Sequence, residues 1–182
     1  MSYDIQQIHD LRFRRFLSRT EIADRIVAIG KEVSADYQGK QPVIISILNG
    51  SFIFAADLLR TLTIDPFITF VKLSSYQGIQ TTGHVSTVLG LDCSLKNKDV
   101  ILLEDILDTG KTLYEFAHQL QQEHQPASLK IATLFYKPDA VQYPIQADYI
   151  GFSIPNIFVV GYGLDYNGFG RSLPDLYVLA EE

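Results

Sequence analysis

The chain has 182 residues, 47% of them hydrophobic and 20% charged, which suits one folded domain with a full core and not a disordered segment. Its net charge is −6, with 21 acidic against 15 basic residues and no long basic stripe, which weighs against a general nucleic-acid partner. A single cysteine, Cys93, rules out an internal disulfide, and residues 1–16 lack the apolar core of a signal peptide. No window approaches the roughly 18 uninterrupted apolar residues of a membrane span. The expectation is therefore a soluble, cytoplasmic protein with no membrane and no nucleic acid among its partners. The acidic balance still permits a phosphorylated substrate, since a bound metal ion supplies local positive charge.

In chain order, Ser18 and Glu21 form a capping-box pattern, and Ile22, Ile26, Ile29 and Val33 follow at helical spacing. The helix should reach about Tyr37, before the breakers Gly39 and Pro42. Pro42–Leu48 is a short apolar run that reads as a buried strand. An Asn49-Gly50-Ser51 turn comes next, and Phe52, Ala55, Ala56 and Leu59 mark a second helix. Phe67–Leu73 is a strand, residues 74–84 are a polar, glycine-containing loop, and Val85–Leu91 reads as a returning strand. Val100–Leu103 is another buried strand, Asp105–Gly110 its connection, and Leu113, Phe116, Ala117 and Leu120 one face of a helix. Leu129–Tyr136, Tyr149–Phe152 and Phe158–Gly161 are further strands. Alternating strands and helices predict an α/β fold with a mainly parallel sheet, whose ligands bind beyond the carboxyl ends of the strands. That gathers Asn49–Ser51, Glu104–Thr112, Lys137 and Gly161–Arg171 along one rim.

The richest segment is Val100–Thr112, VILLEDILDTGKT. An apolar strand ends in two adjacent carboxylates, Glu104 and Asp105. Asp108 follows, and Thr109-Gly110-Lys111-Thr112 opens a helix. Free N–H groups and the positive end of a helix dipole suit a phosphate, with hydroxyls from Thr109 and Thr112 and close backbone approach at Gly110. Carboxylates beside a phosphate make sense as partners of sugar hydroxyls or of hydrated Mg²⁺. Gly110-Lys111-Thr112 also matches the end of an ATP-type phosphate loop, but that motif requires glycine where this chain has Asp105. Asp108 taken alone reads as a helix N-cap, and the segment as a solvated acidic turn.

This stretch resembles the signature that binds phosphoribosyl pyrophosphate (PRPP) in type I phosphoribosyltransferases, and the chain resembles their hypoxanthine (hypoxanthine-guanine) branch from about Arg15 onward. Three other segments carry the likeness in the family's order. Leu48-Asn49-Gly50-Ser51-Phe52, with Ala56-Asp57-Leu58, resembles the pyrophosphate loop, in which a cis peptide is frequent. Here Asn49 stands where lysine or arginine is common, which keeps the backbone contribution and removes a side-chain charge. Ser74-Ser75-Tyr76 resembles the start of a lid that closes over the site and excludes water. Phe135-Tyr136-Lys137-Pro138 and the run from Phe158 to Arg171 resemble the base-binding segments.

The resemblance implies a type I phosphoribosyltransferase fold in one domain over residues 1–182. The N- and C-terminal segments would form a small hood, and residues 74–84 a mobile lid. It implies Mg²⁺-dependent transfer of the 5-phosphoribosyl group from PRPP to hypoxanthine, and to guanine, in purine salvage. Asn49, Gly50, Ser75, Tyr76, Glu104, Asp105, Asp108, Thr109, Gly110, Lys111, Thr112 and Arg171 would bind PRPP. Ile106 and Phe158 would sandwich the purine, Val159 would read its edge and Lys137 its 6-oxo group. Asp165 would lie at the base and on a metal, alongside Glu104 and Asp105 as metal partners. Asp108 would take the proton at N7 of the base. A homodimer or homotetramer is also implied. Two alternatives remain open: a regulator of the same fold that senses PRPP or a nucleotide, and a transferase for another base such as xanthine. Lys137 favours a 6-oxopurine, because an ammonium donates to a carbonyl and cannot accept from an amine.

Overall fold

The computed structural model describes residues 5–74, 86–89, 91 and 93–180. Two sheets organise it. The larger has six strands in the order β5-β4-β3-β6-β7-β8: β3 (Val43–Leu48), β4 (Phe67–Ser74), β5 (Ser86–Leu89), β6 (Asp99–Leu107), β7 (Ser128–Tyr136) and β8 (Tyr149–Ser153). Every neighbouring pair is parallel except β4 and β5, so the mainly parallel sheet expected from the alternating pattern is present. The smaller sheet is antiparallel, in the order β1-β2-β10-β9, from Ile5–Ile8, Leu11–Leu17, Leu176–Leu179 and Val159–Val160.

The large sheet is apolar on both faces because helices cover both. Along β3, Ile44 belongs to the core on one side while Val43, Ile45 and Ile47 belong to the other; along β6, Ile101 and Leu103 alternate with Val100 and Leu102. This is the two-residue period of a strand. The first side packs against α1 (Arg19–Asp36) and α2 (Phe52–Thr61), the second against α3 (Lys111–His124). In α1 the capping box is complete: Ser18 accepts from the Glu21 N–H, and the Glu21 carboxylate accepts from the Ser18 N–H. Ile22, Ile26, Ile29 and Val33 are buried on one stripe of it, each contributing roughly 1.5–3 kcal/mol of apolar burial.

Two sequence expectations are corrected, and one alternative reading of Asp108 falls. β6 does not stop at Leu103; it continues through Glu104 and Asp105 to Leu107, because β7 stays paired with it as far as Tyr136. The acidic residues therefore sit within a strand, and the connection shortens to Asp108–Gly110. Asp108 is not the N-cap of α3. That place belongs to Gly110, whose φ of 81° lies in the left-handed region that favours glycine and which brings no side-chain cap. The strand expected over Phe158–Gly161 contracts to Val159–Val160, since Gly161 turns back to bridge Leu164. The expected lid at 74–84, from Ser75 onward, lies outside the described residues.

Candidate active site

The carboxyl ends of β3, β6 and β7 form the floor of the site. β3 ends at a cis peptide between Leu48 and Asn49. Asn49 is exposed, Gly50 is buried, and Ser51 starts α2. The Ser51 hydroxyl donates to the Ile47 carbonyl at 2.6 Å and meets Ser46 at the same distance, so the turn is tied to the strand beneath it. Gly50 is required here. A Cβ on it would lie 1.3 Å from Oδ2 of Asp105, so the carboxylate sits directly over the glycine backbone.

Glu104 and Asp105 are adjacent near the end of β6, and each bears on the ionisation of the other. Desolvation, reinforced by the charge of Asp105, holds Glu104 well above the usual carboxylate range. Desolvation also raises Asp105, offset by hydrogen bonds from Glu104 and from the Ile106 N–H and by the positive charge of Arg171. Two desolvated carboxyls that resist ionising together are a donor set suited to a divalent cation. Magnesium is commonly held by one or two carboxylates with water and substrate phosphate completing the shell. Among the described residues no cluster of three metal-ligating side chains occurs.

One step further along the rim, Lys137 follows β7 and its backbone N–H donates to the Leu107 carbonyl at 3.0 Å. Its side chain is only 7% exposed, against 46% for Asp108, and Nζ donates to Asp108 Oδ2 at 2.8 Å. From sequence alone this lysine would be placed in solvent. Burial beside a carboxylate instead makes a fixed donor–acceptor pair at the mouth of the site. Beyond it, Thr109, Lys111 and Thr112 are exposed around the start of α3, and Gly110 packs on Ile145.

The segment from Phe158 to Arg171 faces this floor. Phe158 is 46% exposed and packs against Phe13 and Tyr166, with ring centroids 6.1 and 5.8 Å away. Val159 is buried in β9, and Ile106 is partly buried against the same core. Arg171 donates to the Gly163 carbonyl at 2.6 Å and pairs with Asp165 at 2.5 Å. The other Asp165 oxygen accepts from the Gly168 N–H at 2.6 Å. Gly163 in turn lies on the Gly50 backbone, where a Cβ would come within 2.1 Å of the Gly50 oxygen. The structure thus brings Gly50, Asp105, Gly163 and Arg171 into one cluster and Asp108 with Lys137 into another. Ser75 and Tyr76 are outside the described residues. Sequence reasoning gave no role to Gly163, Tyr162 or Asp57, although all three lie in segments it singled out. The alternation Gly161-Tyr162-Gly163, all with positive φ, was the available signal.

The family profile described as Phosphoribosyl transferase domain matches residues 15–167. A hypoxanthine-guanine phosphoribosyltransferase of Aquifex aeolicus is 34% identical over 179 residues, covering 97% of this chain and all of that one. Another, from Lactococcus lactis, is 40% identical over 167 residues, covering 91% of this chain and 90% of the relative. The crystal structure of a Bacillus anthracis hypoxanthine-guanine phosphoribosyltransferase, with a HEPES molecule in its active site, superposes with a TM-score of 0.85. It is 36% identical, over 91% of this chain and 98% of that one.

Proposed function

From the premise that this chain belongs to the type I phosphoribosyltransferases, in their hypoxanthine-guanine branch, we propose that it transfers the 5-phosphoribosyl group of PRPP to hypoxanthine and to guanine. The products are IMP or GMP and pyrophosphate, a step of purine salvage. The observation that carries the choice of base is the Lys137–Asp108 pair. A buried ammonium offers a donor to a 6-oxo group, and the carboxylate beside it offers an acceptor to N7. A 6-aminopurine would place a donor against a donor.

The bond changes are as follows. N9 of the base gives its electron pair to C1 of the ribose. The bond from C1 to the pyrophosphate oxygen breaks, and its electrons leave with pyrophosphate. The proton on N7 passes to Asp108. The backbone amides of Asn49, Gly50 and Ser51 and the guanidinium of Arg171 stabilise the leaving charge. Glu104 and Asp105 hold the ribose hydroxyls, and Thr109–Thr112 bind the 5′-phosphate at the start of α3. Ile106 and Phe158 take the two faces of the purine, and the Val159 backbone its edge. Glu104 and Asp105 would hold Mg²⁺, which would supply neutralising positive charge to the substrate. Asp165, with both oxygens engaged, orients Arg171; it serves a metal as well only if one of those bonds is given up.

Residues 1–182 are read as one domain, with the small sheet as hood and residues 74–84, including Ser75 and Tyr76, as a lid that excludes water during transfer. The proposal also includes a cytoplasmic location and a homodimer or homotetramer. Among the described residues no helix is long and apolar enough to cross a membrane.

The test is a spectrophotometric assay of hypoxanthine, guanine, xanthine and adenine with PRPP and Mg²⁺. Turnover of the first two and none of adenine is expected. Xanthine as the main substrate would replace the assigned base, and no turnover of any base would move the chain to the PRPP-sensing regulators.

A further inference from the structure

The pyrophosphate half of the site is built from two pieces of chain that no strand joins. One is the Asn49–Ser51 turn, which leads into α2. The other is the Gly161–Arg171 segment, which carries Arg171. They touch where Gly163 rests on the Gly50 backbone. That close backbone approach leaves no room for a side chain at Gly163. A directional bond lies one residue away: the Tyr162 hydroxyl donates to Oδ2 of Asp57, on the second turn of α2.

Several features make this bond the fixing element. Tyr162 has a φ of 48°, a left-handed conformation that a tyrosine adopts only when its surroundings demand it. It is only 6% exposed, so its hydroxyl must find a partner. Asp57 is held for that purpose, its other oxygen accepting from Arg60 at 3.2 Å. On one side the ring meets no packed neighbour, because a cavity of about 500 Å³ opens beside Thr20, Ile53, Asp57, Tyr162 and Leu173. The base-binding side has an independent anchor. Val159 and Val160 are paired in the small sheet with Val178 and Tyr177.

We propose that Asp57 and Tyr162 are positioning residues that hold the Asn49–Ser51 amides and Arg171 at the separation pyrophosphate requires. The proposal rests on the assignment of those amides and Arg171 to pyrophosphate. Its consequence is selective: loss of the bond disturbs PRPP and pyrophosphate while purine affinity, set by Lys137, Ile106 and the Phe158–Val159 segment anchored in the small sheet, is kept.

The experiment compares Tyr162→Phe, Asp57→Ala, Asp57→Asn and the Phe/Ala double variant, with Arg171→Gln as reference. KM for PRPP, KM for hypoxanthine and product inhibition by pyrophosphate are measured on variants shown by circular dichroism to be folded. Tyr162→Phe and Asp57→Ala are expected to raise KM for PRPP and weaken pyrophosphate inhibition about tenfold, the scale of one hydrogen bond to a charged group. KM for hypoxanthine should stay within about twofold, the margin of an uncoupled site. Asp57→Asn keeps an acceptor and should restore most of the affinity, and the double variant should be no worse than either single one. An unchanged KM for PRPP in Tyr162→Phe, equal losses for both substrates, additive losses in the double variant, or failure of Asp57→Asn to rescue would each overturn the proposal. If Arg171→Gln leaves pyrophosphate inhibition intact, the pyrophosphate assignment itself fails; if it abolishes inhibition while Tyr162→Phe does nothing, only the positioning role fails.

Discussion

Asp108 and Gly50 show how differently two residues of one site depend on their neighbours. Asp108 is half-exposed and accepts from a buried lysine, so its carboxylate is aimed by Lys137 while still open to a substrate. An amide in its place keeps the shape and loses the capacity to take a proton. Asp108→Asn is expected to lower kcat by about a hundredfold or more, the usual weight of a general base, with KM for PRPP changed by less than about threefold. Steady-state kinetics with varied PRPP decide it, and unchanged turnover removes Asp108 from the chemistry. Gly50 acts by having no side chain. A methyl group there would overlap the Asp105 carboxylate at 1.3 Å, so either the turn or the carboxylate must move. Gly50→Ala should reduce kcat/KM for PRPP about a hundredfold, the cost of displacing a reacting group by roughly an ångström. A folded variant with near-normal kcat/KM would show that the turn need not approach Asp105. The sequence exposed both residues as candidates through the segments that resemble the family's signatures, since aspartate and glycine taken singly are ordinary turn and cap residues. It did not expose why each is needed, since Lys137 and Asp105 reach them from other strands.

At the scale of elements, β6 and α1 decide most of the arrangement. The extra length of β6 carries Glu104 and Asp105 into the sheet, where desolvation raises both. An acidic pair read from composition belongs in a loop. Continued pairing with β7 overrides that preference, because strand residues opposite Thr133, Phe135 and Tyr136 gain ladder hydrogen bonds as far as Leu107. The far end of α1 is held to the sheet by Asp36, which accepts from Tyr149 at 2.6 Å and from Lys130 at 2.9 Å. Those bonds, Tyr149 first and Lys130 next, lower Asp36 below the ordinary aspartate range. A carboxylate depressed in the folded state binds protons less tightly there than in the unfolded chain. Its stabilisation is therefore complete above the ordinary aspartate range and is lost as pH falls through that range towards the folded value. Asp36→Asn should flatten the acid limb of stability against pH and leave its shape unchanged above neutrality. Urea midpoints across the acid range measure this, and an equally steep acid limb in the variant would assign the loss to other groups.

At the scale of the molecule, the catalytic surface is assembled from distant pieces. The small sheet joins residues 5–17 to 159–160 and 176–179, and so sets Phe13 beside Phe158. Asp175 accepts from the Arg19 N–H at 2.7 Å and ties the last strand to the first helix. Such a site is completed by its ligand, and ligand binding should report on the whole fold. PRPP with Mg²⁺ at about a hundred times its dissociation constant should stabilise the protein by about 2.7 kcal/mol, or roughly 5–10 °C in Tm for a domain of this size. EDTA should remove most of that shift, and Glu104→Gln should remove most of the magnesium-dependent part. A full shift in EDTA would show that PRPP binds without the metal.

The sequence by itself determined the α/β class, the helices α1, α2 and α3, the strands of the large sheet and the segments that line the rim. These are local matters of apolar period, capping residues and turn residues. It missed β1 and β2, which are half-polar and pair as chain neighbours, and β10, which is only four residues long and becomes a strand by pairing with β2 across more than 150 residues of chain. The tertiary structure alone decided that Lys137 is buried against Asp108, that Asp105 lies over Gly50 and that Tyr162 reaches Asp57. Each is a contact between separate elements, whose energy depends on the burial and distance that packing creates and that no spacing along the chain encodes.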